Sequence, residues 1–198
     1  MQYFQNDESL SNKPKDISFW FLAEQYTFKT IDGVFSKSTL DFGSRVLLEY
    51  LVKCNLKGKI LDLGTGYGPI GILLKTYFPS CDITMSDVNE RAVYIAGINV
   101  EEYGYDNKVV LSDGFKNISG FFDAVVFNPP IRSGKENIFR LFEECFKHLT
   151  CKGCLYTVIK KDQGALSAFK YLETLFDGVS IVKKEKGYWV IKAEKNSE

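Results

Sequence analysis

The stretch DAVVFNPPIRSGKENIF, residues 123–139, ends an apolar run at an asparagine followed by two prolines. The run predicts a buried strand, and open α/β sheets bind ligands at the carboxyl ends of their strands. There the Asn128 side-chain oxygen and the Pro129 carbonyl could accept both N–H bonds of a planar, conjugated amino group, while Pro129 and Pro130 stiffen the loop. Such acceptors would localise the nitrogen lone pair and aim it at a methyl carbon. An ordinary strand-to-helix turn is the alternative interpretation.

A glycine-rich segment, KILDLGTGYGPIG at residues 59–71, predicts a strand, a tight turn and a helix. The spacing of Gly66, Gly68 and Gly71 fits a loop whose backbone closely approaches a nucleotide ligand at a helix N-terminus. This spacing alone fits both a nicotinamide dehydrogenase and an S-adenosylmethionine (SAM) methyltransferase.

Three carboxylates favour the methyltransferase interpretation. Asp62 precedes the glycines, Asp87 follows the next predicted strand, and Asp113 follows the third. A carboxylate at the first position suits the amino end of a cationic sulfonium better than a pyrophosphate, and the other two suit ribose hydroxyls and an adenine amine. The structural alternative is that all three are helix N-caps. A nicotinamide-dependent oxidoreductase and a catalytically silent SAM-binding module also stay open at this point.

The order of the elements predicts an α/β fold, with a mainly parallel sheet and helices on both faces, because β-rich runs alternate with helical segments after residue 58. The predicted strands are 59–63, 82–86, 108–112, 123–128, 154–160, 179–184 and 188–193, and the predicted helices are 44–54, 70–77, 90–103, 136–148 and 165–176. Only EKG separates the last two strands, which predicts an antiparallel C-terminal hairpin and hence a mixed sheet.

The 198 residues are predicted to contain a flexible start, residues 1–16, and one domain, residues 17–198. Within the domain, residues 17–57 form an extension with a strand, an Asp-Gly turn at Asp32-Gly33, a short return and a helix, and residues 58–194 form the core. Because 25 basic residues balance 25 acidic ones, any contact with nucleic acid must come from a local patch. We see no secretory signal and no membrane-spanning apolar run, so we expect a soluble, cytoplasmic protein.

The cysteines predict no disulfide framework, because the five are irregularly spaced and odd in number. One cluster, His148, Cys151 and Cys154 in HLTCKGC, has a spacing that a metal could use. Zinc usually needs a second pair of ligands, which is missing from this sequence. We therefore predict no metal and interpret this segment as a helix end followed by a glycine-containing turn into a strand.

Taken together, LDLGTGYGPIG, SDVNERAV, SDGF and NPPIRSGK resemble the motifs of class I methyltransferases that act on exocyclic amines. With NPPIRSGK, the segments DGVFSKSTLDFGSRVLLEYL and GCLYTVIKKDQGA resemble the ribosomal RNA guanine-N2 methyltransferases of the small-subunit methyltransferase C type. The resemblance covers residues 17–194 and implies a Rossmann-like fold with a seven-stranded mixed sheet, SAM as cofactor, and ribosomal RNA or the small ribosomal subunit as partner. Better-known members carry a degenerate duplicate domain for which this chain has no room, so we expect a compact single-domain form.

The same resemblance implies roles for individual residues. Those implied to bind SAM are Phe35, Ser36, Asp62, Gly64, Gly66, Gly68, Asp87, Val88, Asp113, Gly114 and Asn128.

Asn128, Pro129 and Pro130 would hold the target amine. Ile131 stands where many amino-methyltransferases have an aromatic residue that stacks on the target base, so Ile131 would pack on the base instead. Guanine N2 of ribosomal RNA is the predicted target, and a protein glutamine amide or a small molecule is the alternative.

Basic residues beside this loop are candidates for contact with RNA. Arg132 and Lys135 adjoin the Asn-Pro-Pro motif, where they could meet phosphates. The lysines at 160, 161, 183, 184 and 186 either extend this patch or belong to an ordinary solvated surface.

Overall fold

The computed structural model describes residue 11 and residues 13–34 and 39–196, which adopt an α/β architecture. In this part of the chain the elements are β1 (Lys15–Phe21), β2 (Glu24–Thr30), α1 (Phe42–Leu51), β3 (Lys59–Leu63), α2 (Pro69–Tyr77), β4 (Asp82–Asp87), α3 (Glu90–Glu102), β5 (Lys108–Leu111), β6 (Phe122–Phe127), α4 (Lys135–His148), β7 (Leu149–Lys160), α5 (Ala165–Leu175), β8 (Gly178–Glu185) and β9 (Tyr188–Glu194). Short 3-10 turns occupy Ile131–Ser133 and Lys161–Gln163. Most of these bounds lie within two residues of those predicted from the sequence.

Within the described residues, seven strands form one mixed sheet in the order β5-β4-β3-β6-β7-β9-β8. Strands β3 to β7 pair in parallel, whereas β9 runs antiparallel to both β7 and β8. The predicted seven-stranded sheet with a C-terminal antiparallel hairpin is therefore confirmed. The chain direction across the sheet switches between β3 and β6, so the crevice that binds ligands in open α/β sheets lies where these two strands end.

Side chains that alternate along the central strands face two separate apolar cores, as expected for a sheet covered on both sides. In β6, Ala124 and Val126 face the core that contains α1, α2, α3 and the β1–β2 hairpin. Val125 and Phe127 face the other core, against α4 and α5. The prediction of helices on both faces is thus confirmed, and this double packing holds the ends of the central strands in place.

The N-terminal region differs from the sequence prediction. Strand β2 pairs with β1, in register from Lys15↔Thr30 to Phe21↔Glu24. The hairpin turn lies at Leu22, whose φ of 53° is unusual for leucine, so no glycine or asparagine marked it in the sequence. Strand β1 begins at Lys15, so the last two residues of the segment 1–16 that was expected to be flexible belong to this strand. Residues 1–10 and 12 of that segment lie outside the described residues. The predicted return strand after Gly33 falls mainly on residues 35–38, which are also outside them.

A second difference concerns HLTCKGC, which is not a turn. Strand β7 already starts at Leu149 and runs through this segment. An irregularity in its pairing with β6 accommodates Lys152, whose φ is 66° and whose N–H donates to Lys195 O at 2.6 Å. An interruption of this kind within a strand looks like a turn in the sequence, because a glycine, here Gly153, is typical of both.

The structure also bears on three sequence predictions, which concern membrane-spanning segments, metal binding and disulfides. Among the described residues, no helix is long and apolar enough to cross a membrane. The same part of the chain holds no group of three or more His, Cys, Asp or Glu side chains that could bind a metal ion. All five cysteines are free thiols.

Candidate active site

The glycine-rich turn after β3 lies at the edge of the sheet, and the backbone at its three glycines is not covered by side chains of their own. Gly64, Gly66 and Gly68 have φ values of 74°, 60° and 96°, which suit glycine. The Gly64 N–H donates to Ser86 O at 2.8 Å, which holds the turn against the end of β4. Among the described residues, no atom would lie within 4 Å of a Cβ built on Gly66. The backbone at Gly66 therefore borders space that a ligand can occupy.

Asp62 is completely buried beneath this turn, near the end of β3. Its Oδ2 accepts hydrogen bonds from Thr65 Oγ1 at 2.5 Å and from Gly71 N at 2.9 Å. Its Oδ1 is buried as well, and no described residue donates to it. Burial raises the pKa of Asp62 to about 7, with a further contribution from Asp87. A buried carboxylate with one unmatched oxygen favours a cationic or hydrogen-donating ligand.

Asp87 connects the end of β4 to the glycine turn. Its Oδ2 accepts from Gly66 N and its Oδ1 accepts from Asn89 N, both at 2.9 Å. Burial raises the pKa of Asp87. Val88 follows it and is half-buried. A ligand that lies over Gly66 would therefore meet the carboxylate of Asp87, where hydroxyl groups can donate to its remaining lone pairs.

The third carboxylate, Asp113, follows β5 and is held by two cations. Its Oδ2 accepts from Lys116 Nζ at 2.6 Å and its Oδ1 from Arg140 Nη2 at 2.8 Å. The hydrogen bond from Lys116 and then that from Arg140 lower the pKa of Asp113, so it is ionised at neutral pH. Gly114 has a φ of 57°, and a Cβ there would lie 2.1 Å from Glu144 Oε2. Sequence reasoning missed Arg140, since it lies on α4, far along the chain from Asp113.

Asn128 directly follows β6, and its orientation is fixed by two residues at the start of α1. Its Nδ2 donates to Asp41 Oδ2 at 2.7 Å and to Ser44 Oγ at 2.9 Å. Because an ionised carboxylate only accepts hydrogen bonds, Asp41 determines which end of the amide is the NH₂ group. In the described part of the chain, nothing donates to Asn128 Oδ1 or to the Pro129 carbonyl oxygen. Both of the acceptors expected from the sequence are therefore free.

The N-terminus of α1 was missed as part of the site, although the sequence carried a signal for it. Asp41 caps the helix by accepting from Ser44 N at 2.8 Å, and an Asp at the position before a helical pattern is a typical N-cap. The same Oδ2 serves Asn128. Nothing in a linear motif connects the two residues, because 87 positions separate them.

Comparison with known proteins shows the family. Residues 25–192 match the methyltransferase small domain. The chain belongs to this methyltransferase family. One relative is the uncharacterized protein YbxB of Bacillus subtilis (strain 168), which is 44% identical over 98% of both chains. Another is the ribosomal RNA small subunit methyltransferase C (RsmC) of Haemophilus influenzae (strain PittEE), which is 37% identical over 69% of this chain. The match spans only 43% of that RsmC protein.

A solved structure agrees with this assignment. The 16S rRNA N2 methyltransferase RsmC of Thermus thermophilus, determined with AdoMet and guanosine, has a TM-score of 0.83 and 25% identity over 92% of this chain and 50% of that chain. The prediction of an RsmC-like, class I, SAM-dependent methyltransferase is thereby confirmed, together with its Rossmann-like fold.

The residues on the β3–β5 side of the sheet fit SAM as a ligand of this methyltransferase. The unmatched, buried Oδ1 of Asp62 and the open space at Gly66 are the observations that matter most. Asp87 lies at the end of β4 and Asp113 follows β5, so both carboxylates lie at the same edge of the sheet as the glycine turn. Phe35 and Ser36, also predicted to line this pocket, lie outside the described residues.

The residues predicted to meet the substrate flank Asn128 on its C-terminal side. Pro129 is buried and Pro130 exposed, and Ile131 packs partly buried against the core beneath α4 and α5. Arg132 and Lys135 are exposed, and the Lys135 Nζ lies 5.1 Å from the centre of the Phe139 ring. Neither cation forms an ion pair with another described residue, so both can face a substrate at the β6 end.

Proposed function

We propose that this enzyme transfers a methyl group from SAM to the exocyclic N2 amine of a guanine in ribosomal RNA, acting in the cytoplasm. One observation carries the proposal: Asp41 and Ser44 hold the Asn128 amide so that its Oδ1 and the Pro129 carbonyl both remain acceptors. Two acceptors on one rigid loop match the two N–H bonds of a primary amine attached to a conjugated ring.

We propose that this loop acts mainly by orienting the target amine toward the methyl group of SAM. When bound, SAM supplies an electrophilic methyl group. Asn128 Oδ1 and Pro129 O would accept the two N–H bonds of the target amine and so turn its lone pair out of conjugation with the ring. Pro129 and Pro130 fix their φ angles, so the acceptors need little reorganisation as positive charge develops on nitrogen. The methylated, cationic amine is acidic and can lose its extra proton to water without a dedicated base.

On the other side of the crevice we assign the SAM pocket. The residues proposed to hold SAM are Asp62, Gly64, Gly66, Gly68, Asp87, Val88, Asp113, Gly114 and Asn128, with Phe35 and Ser36 as further candidates. Asp62 would attract the cationic methionine end, Asp87 would accept from the ribose hydroxyls, and Asp113 with Gly114 would adjoin the adenine. The pairing of Asp113 with Arg140 and Lys116 leaves lone pairs on both carboxylate oxygens for this purpose.

Two findings support guanine in ribosomal RNA as the substrate. Relatives at 35–38% identity are ribosomal RNA small subunit methyltransferases C, and the related Thermus structure contains guanosine. Ile131, Arg132 and Lys135 are the side chains we propose to contact the RNA, the first packing on the base and the other two meeting phosphates. The chain spans about half or less of these relatives, so their further contacts with RNA are not carried over.

Methyl-labelled SAM tests the proposal against its alternatives. The enzyme is incubated with small ribosomal subunits, with naked ribosomal RNA and with total protein, and the labelled fraction is identified. We expect label in RNA, in the guanine nucleosides. Label in protein alone would point to a glutamine amide and overturn the RNA assignment, and label only in small molecules would do the same.

A further inference from the structure

The edge of the sheet where the parallel strands end divides into an acidic half and a basic half. Asp62, Asp87 and Asp113 lie at or directly after the ends of β3, β4 and β5. On the other side of the β3–β6 switch, the edge carries basic residues from three segments: Arg132 and Lys135 after β6, Lys160 and Lys161 at the end of β7, and Lys184 and Lys186 at the β8–β9 turn.

The β8–β9 turn belongs to this edge because of the register of its strands. Tyr188, the first residue of β9, pairs with Lys160, the last residue of β7. The Lys161 N–H also donates to Gly187 O at 2.7 Å, which attaches the turn to the end of β7. The lysines on either side of the turn are therefore held on the same edge as the Asn-Pro-Pro loop.

Several of these lysines keep an uncompensated charge. Lys161, Lys184 and Lys186 are exposed, and in the described part of the chain none of them forms an ion pair. The nearby acidic side chains are already paired: Asp162 with Lys160 at 3.2 Å, and Glu185 with Lys183 at 3.0 Å, where Lys183 also pairs with Glu49 at 2.6 Å. The outer surface of this turn is consequently positive although the whole chain carries no net charge.

Aromatic side chains lie between this basic turn and Asn128. The rings of Phe42 and Tyr188 lie 5.5 Å apart, and Lys186 Nζ is 5.1 Å from the centre of the Phe42 ring. A Cβ on Gly43 would be 3.1 Å from Tyr188 Cε1, so glycine allows this close approach of β9 to α1. Phe42 directly follows Asp41, the residue bonded to Asn128, so the aromatic pair adjoins the proposed target site.

We propose that the N-terminus of α1 and the β8–β9 turn form a docking surface for single-stranded RNA. This proposal rests on the proposed function, since it assigns the surface that delivers the guanine. Lys161 and Lys186 contact phosphates, and the partly exposed rings of Phe42 and Tyr188 stack with a base beside the target. Lys184, whose Nζ lies 4.4 Å from the centre of the Trp189 ring on the face toward α4 and α5, adds positive charge at the same turn. Alternation of cations with aromatic rings is how proteins bind single strands without reading their sequence. It also supplies the aromatic contact that Ile131 does not.

Reversal of the charges at the turn tests the surface. The double variant Lys184→Glu, Lys186→Glu is compared with Lys53→Glu, Lys57→Glu, which changes two exposed lysines between α1 and the amino end of β3. Binding of a short, fluorescein-labelled single-stranded RNA is measured by anisotropy over a range of salt concentrations. We expect the turn variant to bind RNA about tenfold or more weakly than the wild type. The slope of log K against log salt concentration should become shallower by about 0.7 for each phosphate contact that is lost. The control variant should match the wild type in both quantities.

A second variant separates stacking from charge. Tyr188→Leu keeps an apolar side chain against Gly43 but removes the ring, so we expect weaker RNA binding with an unchanged salt slope. SAM binding, measured in parallel, should be equal in all variants. Unchanged RNA affinity in the turn variant, or a preference of this surface for polyglutamate over RNA, would overturn the proposal. If the wild type binds RNA through these lysines but labels no guanine, the docking surface stands and the proposed function fails.

Discussion

Asp41 Oδ2 receives two hydrogen bonds, one from Asn128 Nδ2 at 2.7 Å and one from the Ser44 N–H at 2.8 Å. A single carboxylate oxygen thus caps α1 and sets the orientation of the asparagine that follows β6. The geometry gives Asp41 a positioning role: its side chain would not touch the substrate, but it determines which atom of Asn128 faces the crevice.

Substitution of Asp41 tests this role. In Asp41→Ser the short hydroxyl can still cap the helix, whereas the bond to Asn128 is lost, so we expect turnover to fall by about 100-fold through misplacement of the acceptor. Asp41→Ala loses the cap as well, and its unfolding free energy should fall by about 1 kcal/mol relative to Asp41→Ser. Turnover is measured with labelled SAM, and stability by chemical denaturation. Wild-type turnover in Asp41→Ser would contradict the positioning role.

Asn128→Ala removes one of the two proposed acceptors. We expect turnover to decrease by about 100-fold or more, because the target amine is no longer oriented. The affinity for SAM should weaken by only about threefold, or less than about 1 kcal/mol, because Asn128 is one of many residues proposed to hold SAM and the others remain. Calorimetry gives the affinity, and single-turnover methyl transfer gives the rate. If methylation continued at the wild-type rate, the protein would not use this loop for chemistry, as expected for a SAM-binding module or another catalytic arrangement.

The high pKa of Asp62 predicts that SAM binding releases a proton. At a pH about one unit below the pKa of about 7, the carboxyl is mostly protonated, and a bound cation would favour its ionised form. Calorimetry in two buffers of different ionisation enthalpy should therefore detect proton release in the wild type. Asp62→Asn retains an acceptor for Thr65 and Gly71 but cannot ionise, so it should bind SAM more weakly and release no proton from this site. Equal proton release in both proteins would exclude this role.

The same group affects stability in the absence of ligand. The pKa of Asp62 is higher in the folded state than its usual 3.8, so the folded protein retains the proton to higher pH. The contribution of Asp62 to the free energy of unfolding should consequently decrease as pH rises from about 3.8 to about 7 and then level off. Asp62→Asn should lack this component. The comparison is made by urea denaturation of the two proteins across that range.

Gly66→Ala tests the open space above the glycine turn. Its Cβ would meet no atom of the described residues within 4 Å but would project where we place SAM. Gly104 offers a matched control, because its φ of 66° is close to the 60° of Gly66 and a Cβ built on it also has no atom of the described part of the chain within 4 Å. Both alanine variants should lose about 1–2 kcal/mol of stability from the left-handed backbone. Only Gly66→Ala should lose the increase in melting temperature that SAM produces; a normal SAM response there would place the ligand elsewhere.

The sequence was sufficient for the features encoded by contiguous residues. The Asn-Pro-Pro motif, the glycine turn and the carboxylates after each strand are local, and the parallel order of the strands brings them to one edge. The EKG between β8 and β9 likewise marked the hairpin that the structure contains.

Features created by distant pairs of residues could not be read in this way. The contact of Asp41 with Asn128 spans 87 positions, and that of Arg140 with Asp113 spans 27. Each depends on how α1 and α4 pack on the sheet, which periodicity does not specify. The turn at Leu22 and the irregularity at Lys152 were missed for a different reason, because non-glycine residues adopt positive φ at both positions.

The most direct test of guanine-N2 methylation is mass spectrometry of ribosomal RNA nucleosides from cells with and without this gene. The proposed function predicts that one N2-methylguanosine is lost without the gene and returns when the wild-type enzyme, but not Asn128→Ala, is supplied. An unchanged set of methylated nucleosides, or the loss of a methyl group at an atom other than guanine N2, would contradict it.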